Sequence, residues 1–246
     1  MSILYRLTST ETKLFFREPI VVFFALAFAP ILLVILGSVP SMREPDADLG
    51  GLRLINLYLP ILVAMGIALF ALSGLSQLFA SYREKGVLRR LRTTPVKPMA
   101  MLGAQLLMAT VLSLATLVVM LAIGRLAFDV SLPRLLPAYL ISYLLLALAL
   151  FAIGLLVAAV SPSSKSASAI GSLVFFPLMF FAGLWLPREA MSPVLRTISD
   201  FSPLGAGVQS LADAAAGHWP EPLHLAVMLG WTIVAGGLAT RYFRWE

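Results

Sequence analysis

Apolar residues run in long stretches along this 246-residue chain, and polar residues gather in short clusters between them. Crossing a bilayer takes about twenty consecutive apolar residues in a helix. Six stretches meet that length: 20–39, 54–80, 99–124, 135–160, 169–186 and 221–240. Proline marks several joints. Pro19 suits the first turn of the first span, and Pro162 and Pro187 close spans four and five. Residues 40–53 read as a polar loop punctuated by Pro and Gly. The pattern predicts an all-α integral membrane protein with six spans in one transmembrane domain. The sequence shows no repeat at a fixed period.

Two stretches break the rule. In residues 1–19, Ile3, Leu4, Leu7, Leu14 and Phe15 recur near helical spacing, with Arg6, Thr10, Glu11, Lys13 and Arg17 between them. That spacing predicts a helix lying along the interface; a plain cytosolic tail is the alternative. The mixed charge and the long apolar run that follows do not fit a signal peptide, so the first span is expected to be retained. Residues 187–220 are too apolar to float in water and too interrupted to span, with Pro187, Pro193, Pro203 and Pro220. Short helices at 191–199 and 207–216 are expected there, dipping into the outer leaflet and capping the exit side.

Composition sharpens this reading. Hydrophobic residues make up 60% and charged residues 12% of the chain, against roughly 25% charged in soluble domains. Mean hydropathy is +0.94. The net charge of +6 would suggest nucleic acid in a soluble chain. Here the charge sits in loops, so membrane orientation explains it and no nucleic-acid partner is expected. Twelve Lys and Arg fall on the side holding both termini and the 81–98 loop, and six fall on the other. The positive-inside rule places both termini and that loop in the cytoplasm of a cell-membrane protein.

Candidate chemistry is sparse. No cysteine is present, and His218 and His224 are the two histidines, so thiolate catalysis and a multi-His metal site are not available. No G-x-x-x-x-G-K-[ST] phosphate cradle occurs. No catalytic or metal residue is therefore assigned, and the chain itself is not expected to be an enzyme. The spans carry no Asp, Glu, Lys or Arg at mid-depth, which argues against a proton-coupled carrier. Polar span residues are Asn56, Ser73, Ser76, Gln77, Gln105, Ser113 and Thr116. Most are expected to make helix–helix hydrogen bonds. Asn56 and Gln77 are also candidates for a substrate path.

Span five holds further candidates. Ala167 and Gly171, then Ser168 and Ser172, are small residues four apart that allow close helix packing. Pro177, read as mid-span, is expected to kink the helix. Phe176 with Phe180, and Phe181 with Trp185, stand four apart and are expected to stack on two faces. With Met179, this surface suits an apolar substrate or a dimer seam; lipid-facing filler is the bland reading.

The loop SYREKGVLRRLRTTPVKP (81–98) concentrates six of the eighteen Lys and Arg residues. Between Tyr82 and Arg92 a short helix is predicted, with Val87, Leu88 and Leu91 as an apolar strip, ended at Thr94 by Pro95. Such a helix could be a handle for a docking partner or could lie on anionic lipid headgroups.

The run from Arg83 to Pro95 resembles the intracellular-loop signature of type-2 ABC exporter permeases, typified by daunorubicin-resistance and related drug or lipid exporters. That signature has an acidic residue and Gly, then leucines, then Thr-Pro. FFAGLWLPREAMSPVLRTISDFSPLGAGVQSLA (180–212) resembles the family's span end, external helix and Pro-containing motif before the last span. Ser202-Pro203-Leu204-Gly205 departs from the family's frequent Asn-Pro followed by Tyr, so no role of that Tyr carries over. The resemblance implies that the short cytoplasmic helix fits a groove on a separate ABC ATPase, which binds ATP and Mg, with Arg83, Glu84, Lys85, Gly86, Leu88, Arg89 and Leu91 as docking residues. It further implies a second permease copy, identical or not, with spans two and five beside a central cavity. A hydrophobic or amphipathic cargo, drug- or lipid-like, is the expected export substrate, and membrane lipids are expected contacts. The alternative from another class is a non-transporting scaffold that recruits a cytosolic partner or anionic lipid through its basic loop.

Overall fold

The structure is a computed structural model and describes residues 3–46, 51–86 and 98–242. The expected docking helix, with Leu88, Arg89 and Leu91, lies outside the described residues. The fold is all-α. Six helices are long and apolar enough to cross a membrane. They are Pro19–Ser38, Leu54–Glu84, Pro98–Phe128, Leu136–Val160, Ser164–Phe181 and Pro222–Tyr242, called spans one to six below. Six crossings bring the chain back to the end where it began, the terminus-bearing end. Among the described residues the strand content is one antiparallel pair, Pro45–Asp46 with Leu52–Arg53.

Span two is the centre of the bundle. Of its most apolar stretch 72% is buried, against 17% for span five. Its middle widens into a π-helical turn at Phe70–Leu75. At that turn two neighbours come to backbone contact. A Cβ on Gly154 of span four would collide with the carbonyl oxygen of Ala71, and one on Gly171 of span five with that of Leu72. Lipid is as apolar as leucine, so helices associate in a membrane through close packing more than through exclusion of water. Gly171 and the fully buried Ala167 carry that packing. The second small pair does not, because Ser172 is exposed. Span one carries its own π-helical turn at Phe23–Ala27, just before Pro30. A proline has no N–H and presses on the carbonyl four residues back, and a widened turn there relieves both.

Several boundaries move from their expected places. Span three runs four residues past 124, because Arg125 stays helical and pairs with exposed Asp129 at 2.7 Å; Asp129 then ends the helix with φ 53°. Span five begins at Ser164, not 169. Ser163 and Ser166 form a capping box that starts the helix early. It ends at Phe181, and Gly183 at φ 90° turns the chain away. Pro177 is therefore near the end of the helix, and Trp185 lies beyond it. The helices expected at 191–199 and 207–216 run Pro193–Phe201 and Pro203–Ala216. Ser192 and Ser202 cap them and a proline follows each cap.

The Pro203 helix packs on spans two, four, five and six, with Leu204, Ala206, Leu211 and Ala214 fully buried. It is a core element, not a surface cap. Asp200 locks the neighbouring segment. Its Oδ1 lies 2.6 Å from Arg188 Nη1 and 3.2 Å from His224 Nε2 of span six.

The glycine contact yields a direct test. Gly154→Val should lower the thermal stability of the detergent-solubilised protein by about 1–3 kcal/mol, the usual cost of overpacking. Gly230→Ala, where a Cβ meets open space, should leave the melting temperature unchanged or raise it. Equal melting of the two variants would show that spans two and four do not meet as described.

Candidate functional site

The stems of the basic loop are tied into the bundle at several points on the terminus-bearing end. Span two finishes with Tyr82, Arg83 and Glu84, and each reaches a different helix. Tyr82 Oη donates to Glu11 Oε2 of the N-terminal helix, Ile3–Phe15, at 2.6 Å. Arg83 Nη1 donates to the carbonyl of Ala159 at 3.1 Å, one residue before span four ends. Glu84 Oε2 accepts from the backbone N–H and the hydroxyl of Ser164, at 3.1 and 3.0 Å, where span five begins. The charges match the helix ends they meet: a cation at a C-terminus and an anion at an N-terminus, where the peptide dipoles favour them.

The other stem is held from the same carboxylate. Gln105 of span three, fully buried, donates through Nε2 to Glu11 Oε2. Glu11 is itself 6% exposed. It thus joins the end of span two to the start of span three, the two helices between which the basic loop is strung. The N-terminal helix is seated on span three and is not a free tail. Phe15 pins its other end, buried against Phe70 with ring centroids 5.4 Å apart. Burial pushes the Glu11 carboxyl above its ordinary value, and the hydrogen bonds from Tyr82 and Gln105 oppose that shift without cancelling it.

The residues expected to meet a partner are therefore partly engaged within the chain. Arg83 and Glu84 hold spans four and five. Lys85 lies at the exposed end of span two and lines a cavity of about 240 Å³ with Phe15, Glu18, Gln77 and Ser164. Gly86, at φ 67°, turns the chain out of the helix. That left-handed conformation disfavours any residue with a side chain.

The expected substrate-path residues do not converge. Gln77 is at the terminus-bearing end. Asn56 lies at the far end, with Oδ1 3.5 Å from Arg53 Nη2. Met179 is fully buried, whereas Phe176 and Trp185 are 58% and 54% exposed. The aromatic pairs also differ from expectation. Phe176 stacks on Trp185 at 6.2 Å, and the adjacent rings Phe180 and Phe181 meet edge to face at 5.4 Å. The early helix end frees Trp185 to fold back on Phe176. Leu173, Phe176 and Trp185 leave an apolar exposed strip on span five.

Three of the seven polar span residues bond within their own helices and not, as expected, to a neighbouring helix. Ser76 donates to the carbonyl of Leu72, Thr116 to Leu112 and Ser113 to Thr110. Gln105 is an exception, and so is a residue the polar inventory left out: Tyr143 of span four donates to the carbonyl of Ser113 in span three at 2.7 Å. Glu11, Tyr82 and Gln105 were not expected to form one site. Their signal was phase: Glu11 falls one helical turn before the buried Phe15, on the same face.

Six spans, with the stems of a cationic loop hydrogen-bonded to neighbouring spans and to the N-terminal helix, define a polytopic helical membrane protein. A family model described as ABC-2 type transporter matches residues 3–214, and the chain belongs to that family. It is thus the membrane component of an ABC transporter. No curated protein matches the chain.

Glu11 has a definite pH signature. Its carboxyl is raised in the fold, so the folded state holds the proton more tightly than the unfolded chain. Stability from this group is complete below the unfolded value of about 4.5 and is lost as pH rises through the folded one. The melting temperature of wild type relative to Glu11→Gln should fall across that rise. Glu11→Ala, which strands two buried donors, should cost about 1–3 kcal/mol. Parallel pH–melting curves for wild type and Glu11→Gln would exclude a buried carboxyl at this position.

Proposed function

We propose that the chain is the permease subunit of an ATP-driven exporter that moves a hydrophobic or amphipathic, drug- or lipid-like substrate out of the cell. A separate ABC ATPase subunit binds ATP and Mg²⁺ and docks on the 81–98 loop. Both termini and that loop face the cytoplasm of the cell membrane. A second copy of the chain completes the transporter, and the apolar strip of Leu173, Phe176 and Trp185 is a candidate seam between copies.

One observation carries this reading. Tyr82, Arg83 and Glu84 on one stem and Gln105 on the other connect the loop to spans three, four and five and to the N-terminal helix. A load applied to the loop is therefore shared at once among spans two to five. A loop that served merely to retain positive charge inside would not need those bonds. Family membership supports the same reading. Leu88 and Leu91 are the expected anchors in the ATPase groove. Arg89 and Lys85 flank them, and Gly86 sets their direction.

The test is co-purification from native membranes on a C-terminal tag, with mass-spectrometric identification of any P-loop protein retained. Leu88→Asp with Leu91→Asp should reduce its recovery more than tenfold, since a buried interface anchor contributes about 2 kcal/mol or more. Insertion, followed by the amount of chain in the membrane, should not change. Undiminished recovery of the ATPase with the double variant would refute docking through this loop.

A further inference from the structure

The far end of the bundle holds a cavity of about 380 Å³ that the transport reading does not use. It lies between the start of span two, the link into span four, the exit of span five and the Pro203 helix. Its volume is within the range of small-molecule sites. Leu57, Ile61, Leu121 and Val208 give it apolar walls. Arg134, Arg188, Tyr58, Asn56, Gln209 and Ser131 are its polar lining residues, and among the described residues no carboxylate lines it.

Those polar groups are not equivalent. Arg188 is neutralised by Asp200, which lies outside the lining. Arg134 is exposed and makes no ion pair among the described residues. It is nevertheless held in place. Its backbone N–H donates to the carbonyl of Ala215 at 3.3 Å, and Leu135 N–H donates to that of Ala214 at 3.1 Å. Gly217, at φ 97°, leaves room for the Arg134 stem; a Cβ there would lie 3.3 Å from its Cδ. Tyr139 is 1% exposed, and its Oη has no hydrogen-bond partner. A buried hydroxyl without a partner costs free energy, but this one is closed off from the cavity that Tyr139 lines; the uncompensated charge there is Arg134, on the rim.

We infer that this cavity binds an amphiphile with a singly anionic head group. The head sits against Arg134 at the rim, and the first methylenes of the tail lie against Leu57, Ile61 and Val208. Arg134 supplies the charge and a planar set of donors suited to a carboxylate or phosphate. Identifying this ligand as the cargo at its exit rests on the export proposed above. Binding to the isolated chain does not, so the two can fail separately.

Calorimetric titration of the chain in phosphatidylcholine nanodiscs tests the site with three probes. These are a lauroyl lysophosphatidylglycerol, the matching lysophosphatidylcholine, and inorganic phosphate. The anionic lysolipid should bind at least tenfold more tightly than the zwitterionic one, and phosphate alone should not saturate. Arg134→Gln should weaken the anionic lysolipid about tenfold, the effect of one lost charge-assisted bond, and leave the zwitterionic one unchanged. Arg134→Lys should retain most of the affinity. Equal affinity for the two lysolipids, or an unchanged Arg134→Gln variant, would overturn the inference. Saturable phosphate binding as tight as that of the lysolipid would replace it with a plain anion site.

Discussion

Everything in this bundle depends on how closely spans four and five approach the backbone of span two. Gly154 and Gly171 bring their helices against the carbonyls of the consecutive residues Ala71 and Leu72, inside the widened segment Phe70–Leu75. In a bilayer there is little hydrophobic gain from moving a leucine off lipid and onto protein. Dispersion between close surfaces must supply the association, and it falls off steeply once a gap opens. Larger residues at those two positions would hold the helices apart. They would also forfeit the burial that makes span two the core.

That central contact gives the polar contacts at the terminus-bearing end their meaning. Spans four and five run in opposite directions, so one presents carbonyls and the other presents N–H groups at the same level. Adjacent residues Arg83 and Glu84 satisfy both. An isolated exposed ion pair contributes little. These are different: each charge meets a helix terminus whose groups have no partner within the helix. Glu11 completes the arrangement from the N-terminal helix. A single carboxylate oxygen takes bonds from Tyr82 and Gln105, on the two sides of the loop. The loop thus enters and leaves through anchored stems, and displacement of its tip cannot be absorbed by fraying of spans two and three.

The six spans were legible because a bilayer demands long apolar runs and lets little else through. Their ends were less so. Ser163 and Ser166 read as link residues by hydropathy, yet they cap the helix and shift the start of span five by about one turn. Arg125 looked like a boundary because it is charged, although it sits on the exposed side of a helix that continues. The Pro203 helix was expected to dip into the outer leaflet, because its segment is too apolar for water and too interrupted to span, and nothing in that pattern told how deeply it packs. Gly205 and Gly207 are in fact contact positions, where a Cβ would meet Ser199 and Leu146. Glu11 was hidden for a similar reason. A carboxylate is presumed to face water unless its partners are known, and Tyr82 and Gln105 lie 71 and 94 residues away. Tyr139 and Arg134 carried no local signal, because their cavity is assembled from four separate segments.

The two ends of span two differ in kind, and the difference bears on how such a permease could work. At the terminus-bearing end span two is tied by hydrogen bonds to charged groups, which are short and directional. At the far end the charged tie runs to the end of span three alone: Arg53 donates to the carbonyls of Phe128 and Asp129 at 3.2 and 2.8 Å, whereas towards span five Tyr58 reaches Leu184 only at 3.4 Å. The cavity opens beside that second contact. A helix tied by charged groups to spans four and five at one end but not at the other, with its tightest packing in the middle, moves most freely against those two spans at the far end. Force delivered at the basic loop would then be read out at the far end, where the span-five exit and the Pro203 helix meet. The glycine contacts at Ala71 and Leu72 would act as the fulcrum, since backbone against backbone leaves no side chain to reorient there.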